Sequence, residues 1–276
     1  MRRSTPLILC LALAGLAACA ETGTEPEGIP NPVDIGLIAS HVSLTLNVGL
    51  DHFSVARRGL EAGTAPDDTL LAGVLDCPAA VAGGTGSVSV LHLDYTRAGC
   101  AATTHGLETT GSVRYAVRRP AGKLFLEDSE FADFARAGAS LDGLVSTEAT
   151  LLAPGDQVSL RAQAVTLFTP GGAGILSGSF FAVRQATQEN PATPLCFLWL
   201  VNEGTAAVET GNRAYTVAVQ TPLQTAGCCG TVVAGRIGIT VPGFLRAVVD
   251  YGDGACDRQA TMQSGTEVIM LTLAGS

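Results

Sequence analysis

The chain has 276 residues, 47% of them hydrophobic and 15% charged, with a formal net charge of −9 at pH 7. That is ample apolar material for one large folded body and shows no sign of bulk disorder. The acidic balance argues against nucleic acid as a partner, because phosphate binding needs a basic face.

The chain opens with Arg2 and Arg3, followed by an apolar run from Leu7 to Leu16 that is too short to span a bilayer as a permanent helix. Next comes Leu16-Ala17-Ala18-Cys19, which resembles the lipobox of bacterial lipoproteins. The resemblance implies cleavage between Ala18 and Cys19 and a diacylglycerol on the Cys19 sulfur. The bland alternative is an ordinary secretory signal cleaved at an Ala-x-Ala site. Several acyl chains on one residue anchor stably where one chain is marginal. Ala20 stands where an Asp would favour inner-membrane retention, so a cell-envelope address is expected, at the outer membrane if the host is diderm. Loss of residues 1–18 removes Arg2 and Arg3 from the 16 basic side chains and none of the 25 acidic ones. No basic patch is then expected to hold the chain to an anionic surface, and the lipid must do the anchoring. Glu21 to Asp34 carries three Glu, three Pro and two Gly and is expected to be an extended tether, with a reach of roughly 40 Å at about 3.1 Å per residue.

The segment from Ile35 to Ala62 fits two periods. Val42, Leu44, Leu46 and Val48 alternate with His41, Ser43, Thr45 and Asn47 as in a strand, while Leu37, His41, Leu44 and Val48 also make a helical stripe. A short helix is expected over Leu50–Ala62, with Arg57 and Arg58 near its C-terminal end and Gly63 as its cap. The first half stays open between helix and strand. His41 and His52 read as core or surface residues rather than ligands.

From Cys77 onward the pattern is β. Alternation marks Ser87–Leu93, Ser112–Arg118, Val158–Phe168, Ser179–Val183, Ala214–Val219 and Val268–Leu273. Breaks are expected at Ala82-Gly83-Gly84, Pro120-Ala121-Gly122, Pro154-Gly155-Asp156, Pro170-Gly171-Gly172 and Val241-Pro242-Gly243. A parallel sheet would need a crossover helix after each strand, and no run of such helices exists. The expected class is therefore all-β, mainly antiparallel, as a twisted open sheet, sandwich or barrel-like body spanning 35–276 with a short N-terminal helical segment. One exception is Glu127–Ala137, where Phe131 and Phe134 are spaced like a helical face. A soft internal break is expected near 187–194.

Two stretches echo each other: Leu93-Asp94-Tyr95-Thr96-Arg97-Ala98-Gly99-Cys100 and Val249-Asp250-Tyr251-Gly252-Asp253-Gly254-Ala255-Cys256-Asp257. With Cys10 removed and Cys19 lipidated, Cys77, Cys100, Cys196, Cys228, Cys229 and Cys256 remain, and an even set in an exported chain reads as disulfides. The echo favours Cys77–Cys100 and Cys229–Cys256, with Cys196–Cys228 by elimination. A vicinal Cys228–Cys229 bond is the strained alternative.

The segment from Ala214-Tyr215-Thr216-Val217 through Cys228-Cys229 to Asp250-Tyr251-Gly252-Asp253-Gly254-Ala255-Cys256-Asp257 resembles a group of uncharacterised bacterial lipoproteins that carry an Asp-Tyr/Phe-Gly-Asp-Gly-x-Cys-Asp element before a final strand. Leu93–Cys100 resembles their earlier element, with Thr96 in place of its glycine. The resemblance implies architecture and address, and no chemistry.

Asp250, Asp253 and Asp257 sit in a Gly-rich loop and are candidate calcium ligands, against the simpler reading of a tight turn whose Asp side chains bond local amides. The echo lowers the calcium reading, since Asp94 is followed there by Thr96 and Arg97, which would repel a cation. Cys77, His92, Cys100 and His105 have zinc-like types without zinc-like spacing. Gly174-Ile175-Leu176-Ser177-Gly178 lacks the nucleophile-elbow spacing. Glu127, Asp128 and Glu130 are the nearest thing to paired carboxylates for glycoside chemistry, and no catalytic residue is assigned. Trp199 is expected in the core. The expected function is a membrane-anchored envelope lipoprotein acting as a non-catalytic binding or interaction module, with a structural or assembly component and a glycan-directed hydrolase as alternatives. Its expected partners are the membrane, through the lipid, and an envelope protein or glycan.

Overall fold

A computed structural model describes residues 28–61, 79–85, 88–96, 102–104, 107–118, 124–150, 155–185 and 198–274. Its axis is one helix, α1 (Pro32–Glu61), of 30 residues. The start is set locally. Asn31 caps the helix by accepting a hydrogen bond from the Val33 N–H (3.0 Å), Pro32 supplies a first residue that has no N–H to satisfy, and Asp34 lies in the positive first turn. The helix therefore begins inside the stretch expected to be tether and is far longer than Leu50–Ala62.

The reason the first half looked like a strand is its burial. Ser40, His41, Val42, Ser43, Leu44, Thr45, Leu46, Asn47 and Val48 are all buried. A helix enclosed on every side has no polar face, so no period of 3.6 is written into it. By length and composition, Pro32–Ser54 is apolar enough to cross a membrane, but 83% of that window is buried within the fold.

The enclosure is a single antiparallel sheet of β1 (Ala79–Thr85), β2 (Val88–Asp94), β3 (Ala102–Thr104), β4 (Leu107–Arg118), β5 (Leu124–Arg136), β6 (Ala139–Thr150), β7 (Gln157–Thr169), β8 (Gly172–Arg184), β9 (Leu198–Thr210), β10 (Arg213–Ala226), β11 (Thr231–Thr240), β12 (Ala247–Asp253), β13 (Gln259–Ser264) and β14 (Glu267–Thr272). The strands follow one another as a meander in sheet order, except that β3 forms a side hairpin on β4. β8 and β9 pair across the stretch expected as a soft break, so the two halves share one sheet. Ala82, Gly83 and Gly84, expected as a break, lie within β1 and pair with Leu91, Val90 and Ser89.

What bends this sheet around a helix is a line of bulges. Register shifts occur at Gly111 in β4, at Ala132–Asp133 in β5, at Gly143 in β6 and at Gln163–Ala164 in β7. Gly111, Asp133, Gly143 and Ala164 all have positive φ. Side chains fasten neighbouring bulges together: the Asp133 N–H donates to Asp142 Oδ1 at 2.6 Å and the Ala164 N–H to Ser177 Oγ at 3.1 Å. A bulge bends its strand and increases the local twist, so four in line across adjacent strands curl the sheet. The helix is touched by β5 through β11 and by β14.

The bulge in β5 also corrects the helical expectation for Glu127–Ala137. One extra residue puts Phe131 and Phe134, three apart, on the same inner face of a strand, which imitates helical spacing.

Several polar groups on the helix are met from outside it. Ser43 Oγ accepts from the Val232 N–H and bonds Thr231 Oγ1, both at 3.0 Å, and Ser40 Oγ accepts from the Ala274 N–H at 2.9 Å. Tyr215 and Tyr251 donate their hydroxyls to Asp34 (2.8 Å) and to the Ala39 carbonyl (3.0 Å). Trp199 is buried, edge-on to Phe53 with ring centroids 5.8 Å apart.

Candidate functional site

The two Asp-Tyr elements behave alike. Asp94 Oδ1 accepts from the Thr96 N–H at 2.8 Å, and Asp250 Oδ1 accepts from the Gly252 N–H at 3.0 Å. In each, the following tyrosine, Tyr95 or Tyr251, is buried. Asp94 makes its bond at the end of β2, whereas Asp250 makes it at a bulge inside β12, which runs on to Asp253; in both the Tyr pins the strand to the interior. The Cys229–Cys256 disulfide joins the segment before β11 to the loop after β12, with Cα atoms 5.2 Å apart. Cys19, Cys77, Cys100 and Cys196 lie outside the described residues, as does the side chain of Cys228.

Two of the three candidate calcium ligands, Asp250 and Asp257, have local occupations. Asp250 Oδ2 is held by Arg236 Nε at 2.7 Å, and Asp257 Oδ1 accepts from the Gln259 N–H at 3.0 Å. Among the described residues no three His, Cys, Asp or Glu side chains gather to hold a metal. Of the zinc-like set only His92 is described, on β2.

Strand alternation separates the carboxylates that looked paired. Asp128 and Glu130 face outward beside Arg118 (3.0 Å) and Arg114 (3.6 Å). Glu127 faces inward, 1% exposed, and accepts from Ser129 Oγ (2.5 Å) and Thr147 Oγ1 (3.0 Å). Burial pushes its carboxyl up to about 7, against the pull of those two hydroxyls. A second interior cluster lies further along the helix. Arg136, 1% exposed, reaches Asn47 Oδ1 (3.2 Å) and Asp51 Oδ2 (3.4 Å). Burial pushes Asp51 up to about 7 while Arg136 pulls it down. His41 and His52 are pushed down to about 3 by burial, so both are neutral at ordinary pH. His52 Nδ1 bonds the Val48 carbonyl at 2.7 Å and packs among Tyr115, Phe131 and Phe134. Arg136 fastens sheet to helix, Glu127 is bonded within the sheet and His52 within the helix.

The feature suited to an external partner is on the other face. A groove of about 650 Å³ crosses the outer surface of β4 to β9. Cross-strand register builds it from two rows, Asp128–Ser146–Arg161–Ser179–Thr205 and Leu126–Glu148–Ser159–Phe181–Glu203. Short serines at 146, 159 and 179 line it together with the longer Arg118, Leu126, Arg161, Glu148, Phe181 and Glu203. Phe180 and Phe181 show how the sheet supplies it: Phe180 points into the core and Phe181, half-buried, into the groove. Arg118 is occupied by Asp128, whereas Arg161, Glu148 and Glu203 make no ion pair or side-chain hydrogen bond with a described residue.

Of the groove residues only Asp128 is a candidate site residue by sequence; Arg118, Ser159, Arg161, Ser179 and Phe181 read there only as parts of strands. The available signal was the polar phase of β7 to β9, where a Phe interrupts a run of Ser, Thr and Glu. A smaller apolar hollow of about 510 Å³ lies at the helix N-terminus, between Val33, Leu37, Pro170 and Met270. Val33, Val268 and Met270 are exposed.

No family model matches the chain, and no curated protein or solved structure is significantly similar to it.

Proposed function

We propose that this protein is a lipid-anchored cell-envelope lipoprotein that works as a non-catalytic binding module, using the outer face of its sheet. The groove across β4 to β9 carries the reading. It is a long, open hollow of mixed chemistry on a rigid surface whose strands are paired on both sides. The lipobox-like Leu16-Ala17-Ala18-Cys19 supports the address. The helix, disulfide and bulges serve to hold this surface in shape, since binding surfaces on regular elements are positioned more firmly than those on loops.

Within the groove the free acids are poorly placed for paired-carboxylate hydrolysis. Glu148 and Glu203 are separated by three strand spacings, about 14 Å, whereas such pairs sit about 5–9.5 Å apart.

The test is co-sedimentation of the purified protein with delipidated envelope material from its own host, in a detergent that solubilises the lipid anchor. The wild type is expected to pellet with that material, and Ser179→Trp, which fills the groove, to stay in the supernatant. Equal pelleting of the two would overturn the groove as the binding surface. Labelling with a palmitate analogue, lost in Cys19→Ala, is the expected result for the anchor, and labelling retained in that variant would remove it.

A further inference from the structure

Resting on the reading of the groove as the binding surface, we infer that its ligand is a linear glycan without acidic groups, lying across the strands. The geometry sets the form of the ligand. The two rows run perpendicular to the strands over β5 to β9, four spacings or about 19 Å. One strand spacing is close to the length of one pyranose unit in an extended chain, so each of about four units meets a different strand's pair of outward side chains.

An extended peptide is a poorer fit. Peptides that read a sheet do so by adding to an edge, through unpaired backbone groups. β4 to β9 are interior strands with both sides paired. An acyl chain is also a poorer fit, because Leu126 and Phe181 are separated by polar residues and form no continuous apolar strip. A sugar ring has an apolar C–H face and a rim of hydroxyls. Phe181 offers a ring face for the first. The serines at 159 and 179, with Glu148, Glu203 and Arg161, offer acceptors and donors for the second.

Charge selects among glycans. With Asp128 held by Arg118, two carboxylates, Glu148 and Glu203, face one guanidinium, Arg161. A uronic-acid or sulfated chain is disfavoured there, and a neutral, N-acetylated or amine-bearing chain is favoured.

The experiment is isothermal titration of the full-length protein, in a detergent lacking a sugar headgroup, with the pentamer of N-acetylglucosamine, cellopentaose and the pentamer of galacturonic acid. Saturable binding of at least one neutral pentamer is expected, with Kd on the order of 10 μM to 1 mM. Phe181→Ala should weaken it at least tenfold, Ser179→Trp should abolish it, and Val268→Ser on β14 should leave it unchanged. Unchanged Trp199 fluorescence and urea midpoints in these variants separate loss of binding from loss of fold. Tightest binding of the galacturonate pentamer, or binding that survives Ser179→Trp, overturns the proposal. Envelope co-sedimentation that depends on Ser179, together with no heat from either neutral pentamer, overturns the glycan and leaves the groove standing. Absence of both overturns the groove as well.

Discussion

Glu127→Gln is expected to make the protein more stable at pH 8 and to leave it unchanged near pH 4.5. Glu127 is 1% exposed on the inner face of β5, and its carboxyl is pushed up to about 7 from an ordinary value of 4.5. The folded state therefore keeps a proton that the unfolded chain gives up between these values. With the folded pKa raised, the stabilising contribution is present in full below pH 4.5 and is lost as pH rises through 7. The difference of 2.5 units corresponds to on the order of 3 kcal/mol at about 1.4 kcal/mol per unit. Glutamine cannot ionise, and its amide can still bond the Ser129 and Thr147 hydroxyls. His41, His52 and Asp51 also titrate with folding, so the useful quantity is the difference between variant and wild type. Urea unfolding at pH 4.5, 6 and 8 measures it. The gain of the variant should grow from near zero to about 3 kcal/mol. A gain that is flat with pH, or a variant less stable at pH 8, would refute the burial of an ionisable carboxyl at this position.

His41 is buried on the helix with neither ring nitrogen hydrogen-bonded by ordinary geometry and is pushed down to about 3. His41→Leu should therefore stabilise by about 1 kcal/mol at pH 8 and by about 2 kcal/mol more at pH 5, where the unfolded histidine binds a proton that the folded one refuses; thermal melts at both values check this. Gly235 has φ +99°, and a Cβ there would collide with the Pro222 carbonyl of β10, so Gly235→Ala should cost more than 3 kcal/mol in urea unfolding. Breaking the Cys229–Cys256 bond, which closes a separation of 27 residues, should cost about 3–4 kcal/mol; Cys256→Ala measured under oxidising conditions tests it.

Strands such as β7 and β10 were legible because they are wet on one face and dry on the other. Val158–Gln163 and Ala214–Val217 alternate cleanly, and both lie within strands. The helix was legible only in part, because the sheet hides all its sides and removes the polar face from which a helix is recognised. The bulge in β5 misled for a related reason, since it converts a period of two into a spacing of three at Phe131 and Phe134. The Asp-to-amide bonds of the two Asp-Tyr elements could be read from residue types alone, because they are local, but that the second sits at a bulge inside β12 and not in a turn could not. The groove could not be read in this way. Its rows join residues of neighbouring strands, and Phe181 meets Glu203 and Ser159 only once register is fixed.

The most direct test of the outer groove as the binding surface is hydroxyl-radical footprinting of the protein with and without delipidated envelope material. The prediction is protection of Leu126 and Phe181, with no change at Val268 and Met270 on β14. Protection of Val33, Val268 and Met270 with none at Phe181 would contradict it, placing the contact at the apolar hollow beside the helix N-terminus.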